Sequence, residues 1–169
     1  ITKKVSRHDT LLVAYEDTIP SELLNRLYKY HEFDQILVDS CSFNIHETVN
    51  NFLNAMKENI GVSELILSVS RETISDEQIN ILTNQDCTLL LHCPTSVEIY
   101  RKGAISYVPN DAYIVDYTGN TNGLGDIFCA FVAVFLDQQL DLVESVKKAQ
   151  VNLSKLLLNQ RIHDGVAEG

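Results

Sequence analysis

Gln35-Ile-Leu-Val-Asp39 decides how the chain is read: three unbroken apolar residues sit between polar ends, with no alternation. A strand with one wet face alternates apolar and polar side chains, whereas a strand buried on both faces runs apolar throughout. Leu65-Ile-Leu-Ser-Val69 and Thr88-Leu-Leu-Leu-His92 repeat the pattern, and Leu11-Leu-Val-Ala-Tyr15 is a shorter version. Between these runs the apolar spacing becomes helical. Pro20 fits the first turn of a helix striped by Leu23, Leu24, Leu27 and Tyr30. Residues Ile45 to Ile60 put Val49, Phe52, Leu53 and Met56 on one side, and Gly61 suits a left-handed cap. Ser75 and Gln78 have the spacing of a capping box for a helix through Leu82. Buried strands alternating with helices predict an α/β fold, a mostly parallel sheet with helices on both faces.

The pattern changes after His92. Val97-Glu-Ile-Tyr-Arg101 and Ala104-Ile-Ser-Tyr-Val108 flank Lys102-Gly103, which predicts an antiparallel hairpin near residues 97–108. Tyr113-Ile-Val-Asp116 reads as one more strand. From Asp126 to Leu136 the sequence is apolar on every side, so this helix is expected to be buried all round, between the sheet and the next helix. Asp141 with Glu144 caps a final helix through about Gln160. One domain over residues 1–169 accommodates these elements.

A net charge of −10 excludes a nucleic-acid or anionic-lipid footprint. The longest apolar stretch, Ile127 to Leu136, is too short to span a membrane. Cys41, Cys87, Cys93 and Cys129 are too scattered for a disulfide scaffold and read as reduced thiols of a cytoplasmic protein. Ile1-Thr-Lys-Lys lacks the apolar core of a signal peptide, and without an initiator Met the chain reads as processed or as part of a longer polypeptide.

The loop with chemical character is Val115-Asp-Tyr-Thr-Gly-Asn-Thr-Asn-Gly-Leu-Gly-Asp-Ile-Phe128. Gly123 and Gly125 permit a tight turn and close approach of a ligand. The amides that open a helix point outward at the positive end of its dipole, a ready site for a phosphate. Asp126, on the first turn, can take a proton from a hydroxyl while those amides hold a phosphoryl group. The plainer reading makes Asp126 an N-cap on an ordinary glycine-rich loop.

Asn120-Thr-Asn-Gly-Leu-Gly-Asp126 resembles the second signature, D-T-T-G-A-G-D, of the ribokinase-like (PfkB-type) carbohydrate kinases. Leu142-Val-Glu-Ser-Val-Lys-Lys-Ala-Gln-Val151 resembles the family's L-x-E-A-V-x-x-A-N-A at the family's spacing, and Leu89 to Pro109 resembles its hairpin stretch closing on V-P. The resemblance covers about Thr88 to Gln160, the carboxyl-terminal part of that fold. It implies that Asp126 is the catalytic base, that Gly123, Leu124 and Gly125 form the anion hole, and that Ser96, Ala149 and Gln150 lie on the nucleotide side. It further implies ATP and Mg²⁺ and a sugar, polyol or nucleoside acceptor, and a homo-oligomer is compatible with it; the acidic charge and short apolar runs leave no nucleic-acid or membrane partner expected, and strand parity leaves no protein-held metal expected.

Four departures accompany the resemblance. The family's first signature, a glycine pair shaping the sugar pocket, has no counterpart before Gly61, which implies a chain without the family's amino-terminal portion. Of the Mg²⁺-linked N-x-x-E only Glu72 remains, in Val69-Ser-Arg-Glu72. The two glycines of the nucleotide-side turn fall on Cys93 and Ser96. Asp116-Tyr-Thr-Gly119 matches the first half of the signature as well as Asn120-Thr-Asn-Gly123 does, which reads as a four-residue insertion. Two functions follow: an ATP-dependent phosphotransferase, or a catalytically degenerate ribokinase-like domain kept for binding or assembly.

Three further groups carry reactive side chains. Cys87, His92 and Cys93 suggest a metal, but strand parity puts Cys87, Leu89, Leu91 and Cys93 on one face and His92 on the other, so core cysteines and a satisfied or exposed His92 are expected. Asp39-Ser-Cys-Ser reads first as a polar strand end and second as a ligand contact. Cys41 and His46 lack a third partner for nucleophilic catalysis.

Overall fold

The computed structural model describes residues 6–14, 19–40, 45–58, 62–111 and 123–168. The strand expected at Tyr113–Asp116, the Gly61 cap, Cys41 and the loop through Asn122 lie outside them.

Six strands form one sheet in the order β1-β2-β3-β4-β5-β6. β1 (Ser6–Ala14), β2 (His31–Asp39), β3 (Val62–Ser70) and β4 (Thr88–Cys93) are parallel. β5 (Ser96–Arg101) and β6 (Ala104–Pro109) continue the sheet antiparallel. The sheet is therefore mixed and mostly parallel, as expected. β1, β2 and β3 extend further toward their amino ends than their apolar runs, because pairing continues through polar residues such as Gln35, which donates to Thr10 Oγ1 at 2.8 Å. The hairpin turns at Lys102 and Gly103, both with positive φ (49° and 77°), the primed geometry that matches strand twist.

The parallel strands follow one another in sequence, so right-handed crossovers place their helices on one face. These are α1 (Ser21–Tyr30), α2 (Ile45–Glu58) and α3 (Asp76–Thr83). Ser75 and Gln78 form the expected capping box at α3. α1 is rotated from its expected stripe: Leu24 and Tyr28 are buried, while Leu23 is 58% exposed and Pro20 is the N-cap. A stripe through Leu24 and Tyr28 lies one turn apart on the sheet side and carries Leu23 past the edge. Leu24, Val49, Phe52 and Leu82 meet Ile36, Val38, Leu65, Leu67, Leu89 and Leu91 in the first core.

The other face carries α4 (Leu124–Asp137) and α5 (Leu142–Glu168), the latter longer than its periodicity suggested. Phe128, Cys129, Val132 and Leu136 of α4 pack with Leu142, Val146 and Ala149 of α5 against Leu37, Ile66, Leu90, Val97, Ile99 and Val108. α4 lies on β1 to β3 and against α5, as expected from its position. It is not buried all round: Ala130 and Val134 are exposed, Val134 by 51%. A helix touching a sheet below and one helix beside it has a third side, and small or β-branched residues can stand there in water. The Glu144 N–H donates to Asp141 Oδ1 at 2.8 Å, so Asp141 does cap α5.

Candidate active site

The parity of three strands sets the site. β2 sends Ile36 and Val38 to the first core but Leu37 and Asp39 to the α4 side. β3 likewise sends Ile66 and Ser68, and β4 sends Leu90 and His92, to the α4 side. At the carboxyl ends of β2, β3 and β4, that face thus presents Asp39, Ser68 and His92 to the beginning of α4. Crevices outside the carboxyl ends of parallel strands are where open α/β sheets bind ligands.

α4 begins immediately after Gly123, which occupies the N-cap with φ 79°. That left-handed conformation is one that a β-carbon disfavours. Asp126 is consequently the third residue of the helix and not its cap, so the capping reading of this carboxylate does not hold. The N–H groups of Leu124, Gly125 and Asp126 belong to the first turn, where the helix supplies no acceptor. Gly125 lies over the His92 ring: a β-carbon there would meet His92 Cε1 at 3.5 Å. The same ring sits 5.5 Å from the Phe128 ring, centroid to centroid. Burial against these groups lowers the His92 pKa to about 4, so the imidazole is neutral at physiological pH.

A cavity of about 570 Å³ opens at this end of the sheet. Asp39, Glu72, His92, Leu124, Gly125 and Gln150 are among the residues that line it. Gln150 donates from Nε2 to the Val108 carbonyl at 3.2 Å, tying α5 to β6 along one wall. Of the other residues assigned to the nucleotide side, Ser96 is buried beside Cys93, with Oγ to Sγ at 3.3 Å. Ala149 is fully buried in the α4–α5 core and does not reach the cavity. Cys93 lines the cavity. Burial raises its thiol pKa, but hydrogen bonds with Ser96 and Thr95 bring it below the ordinary value.

Asp39 is the residue that sequence reading undervalued. Its carboxyl is in hydrogen-bonding contact with Asp126 and with the Cys129 thiol. Burial first, and the Asp126 carboxyl next, raise the Asp39 pKa to about 7. Burial and the charge of Asp39 hold the Cys129 thiol well above its usual range, so it stays protonated. The available signal was parity: Asp39 shares a face with Leu37, and Leu37 lies under α4. His46 stands elsewhere, on α2, with Nδ1 buried and unpartnered.

The donor set suits a phosphorylated ligand carrying a cation. Open first-turn amides favour phosphoryl oxygens, while the acidic residues Asp39 and Glu72 in the wall disfavour a bare polyanion. A divalent cation would reconcile the two.

The sequence matches no protein-family model and no curated protein. In structure the chain is similar to pyridoxal kinase from Lactobacillus plantarum, with a TM-score of 0.52 at 11% identity, covering 95% of this chain and 90% of that one. It also aligns with apo adenosine kinase from Trypanosoma brucei brucei, with a TM-score of 0.42 at 15% identity, over 81% of this chain and 38% of that one. The fold is ribokinase-like. No helix among the described residues is long and apolar enough to cross a membrane.

Proposed function

We propose that the protein is an ATP-dependent phosphotransferase of the ribokinase-like, PfkB type, acting on a hydroxyl of a sugar, polyol or nucleoside. The observation that carries this reading is the placement of Gly123-Leu-Gly-Asp126: the first turn of α4 stands over the carboxyl ends of the parallel strands, with Leu124 and Gly125 lining a cavity large enough for a nucleotide and Asp126, exposed, the next residue of the turn. The name of the pyridoxal kinase neighbour adds support.

Asp126 would accept the proton of the acceptor hydroxyl as its oxygen attacks the transferred phosphorus. The first-turn amides following Gly123 would hold the phosphoryl oxygens as charge develops, in a site already oriented for them. Mg²⁺ carried by the nucleotide would neutralise charge on the phosphates, and Glu72, a carboxylate of the cavity wall, would hold it. The neutral His92 ring and Phe128 form the floor beneath Gly125 and limit water there.

The test is Asp126→Asn assayed for ATP-dependent phosphorylation over a panel of sugars and nucleosides. The expected loss is about 10²–10⁴-fold in kcat with nucleotide affinity nearly unchanged, the size of a general-base contribution. Activity within about threefold of wild type would remove Asp126 from that role. A second reading, a degenerate domain that binds without turnover, is favoured by one observation: among the described residues, no Lys or Arg lines the cavity. It stands if no acceptor in the panel is phosphorylated.

A further inference from the structure

A sheet that ends in a flat strand offers free N–H and C=O groups to any second strand, so proteins blunt such edges with charge, proline or a bulge. β6 is the last strand of the sheet, and among the described residues no strand pairs with its outer side. Its stretch Ala104-Ile-Ser-Tyr-Val108 holds no charged residue and no proline. Its register with β5 is unbroken from Arg101–Ala104 to Ser96–Pro109, so it has no bulge either. The opposite edge differs: β1 carries Arg7 and Asp9 in its sequence and has α4 packed on it.

Parity sorts the side chains of β6. Val108 faces α4 and α5 in the second core, so Ile105 and Tyr107 face the α1–α3 side. Those helices lie against β2, β3 and β4, which leaves Ile105 and Tyr107 66% and 63% exposed. Beside them on β5 stand Tyr100 and Glu98, the Tyr100 hydroxyl donating to Glu98 Oε2 at 2.9 Å. The backbone has its own parity. In a two-residue hairpin the residues flanking the turn, here Arg101 and Ala104, exchange both hydrogen bonds, and the pairs alternate from there. Ala104, Ser106 and Val108 therefore bond inward to β5, and the Asn110 N–H continues the series onto the Thr95 carbonyl at 2.8 Å. Ile105 and Tyr107 point their N–H and C=O groups outward. Pro109, the next outward position, has no N–H and ends the edge.

We propose that β6 is a homodimer edge: two copies pair antiparallel about a two-fold axis at Ser106, so that Ile105 of each exchanges backbone hydrogen bonds with Tyr107 of the other. The occupant is a second copy because the strand is complementary to itself. Centring on Ser106 joins the outward-bonding residues and leaves Pro109 outside the ladder. A partner shifted by one residue would meet inward-bonding groups, so the ladder excludes it. On the uncovered face, Ile105 stands opposite Tyr107 on both sides of the axis, a β-branched and aromatic pairing that stabilises sheets. On the other face Ala104 opposes Val108, and Ser106 lies at the axis, so no large side chain keeps the strands apart. At each end the Lys102 turn of one copy comes beside Asp111 of the other, and both residues are exposed. Opposite charges thus meet twice, in a chain whose net charge of −10 otherwise opposes self-association. The dimer does not depend on the phosphotransfer reading.

The experiment is sedimentation velocity of the full chain from micromolar to millimolar concentration, with amide hydrogen exchange read residue by residue. The wild type is expected to dimerise as concentration rises, with exchange at the Ile105 and Tyr107 amides slowing in step. Tyr107→Lys puts a charge on the edge, keeps the inward bonds to β5 and places the new ammonium opposite Glu98 of the same chain. It should weaken dimerisation by about a hundredfold or more, with the urea midpoint of the monomer unchanged. Lys102→Glu and Asp111→Lys should each weaken it by about tenfold, and the double exchange should return it to within about threefold of wild type. A chain still monomeric at millimolar concentration overturns the proposal, as does a dimer indifferent to Tyr107→Lys. A double exchange no better than either single change overturns the axis at Ser106. Should Tyr107→Lys not fold, the wild-type amides decide: exchange at Ile105 and Tyr107 that is the same at every concentration overturns the edge.

Discussion

The two faces of the central sheet are built from the same strands yet end differently. Toward α1–α3, β2, β3 and β4 finish with Val38, Val69 and Leu91, and the apolar contact continues to the strand ends. Toward α4, the same strands finish with Asp39, Ser68 and His92. The first face is sealed by three amphipathic helices delivered by the crossovers. The second is closed by α4, whose glycine-opened first turn meets those polar ends. One residue of strand parity separates structural packing from chemistry.

The sharpest way to break this division is on the sealed face. Phe52 is 1% exposed, in the middle of α2. Phe52→Ala should cost about 3–5 kcal/mol by cavity formation, read as a lowered midpoint in urea unfolding. If ligand binding to folded Phe52→Ala protein changed more than its stability, the division between faces would be wrong.

A smaller effect sharpens it on the open face. The folded pKa of Asp39, about 7, is raised above the unfolded value of about 4. The stability contributed by holding that proton is therefore complete below about pH 4 and is lost as pH rises through about 7. Asp39→Asn removes the titration, so relative to wild type it should gain stability between pH 5 and pH 8 by on the order of 1–2 kcal/mol. That is less than the full linkage value because solvent reaches this half-buried carboxyl. Parallel unfolding curves at the two pH values would show Asp39 unperturbed.

The smallest effect separates two glycines. Gly123→Ala has open space around its new β-carbon but a φ of 79°, and should cost about 1 kcal/mol. Gly125→Ala is helical and meets His92 Cε1 only at van der Waals distance. It should leave thermal stability unchanged or raise it by up to about 1 kcal/mol. In the phosphotransfer reading it should nonetheless weaken nucleotide binding, because the methyl would stand between the turn and the His92 ring, both in the cavity wall. Unchanged affinity for ATP in Gly125→Ala would detach this turn from the ligand.

Much of this architecture was legible in the chain alone. Unbroken apolar runs at Ile36–Val38, Leu65–Leu67 and Leu89–Leu91 specify strands buried on both faces. Ser75 with Gln78, Asp141 with Glu144, and Lys102-Gly103 mark two helix starts and a hairpin, because local hydrogen bonding and backbone φ act within four residues. Gly123 to Asp126 were identifiable as a helix-opening turn for the same reason. Only the tertiary structure decided which face each helix covers, that α4 keeps a wet side at Ala130 and Val134, and that Asp126 is a third-position residue and not a cap. It also set Asp126 near Asp39, distant in sequence, and buried His92 beneath Gly125. Periodicity records which side chains avoid water. It carries no information on which distant side chains will meet, since that depends on register and crossover handedness, fixed only when the whole sheet closes.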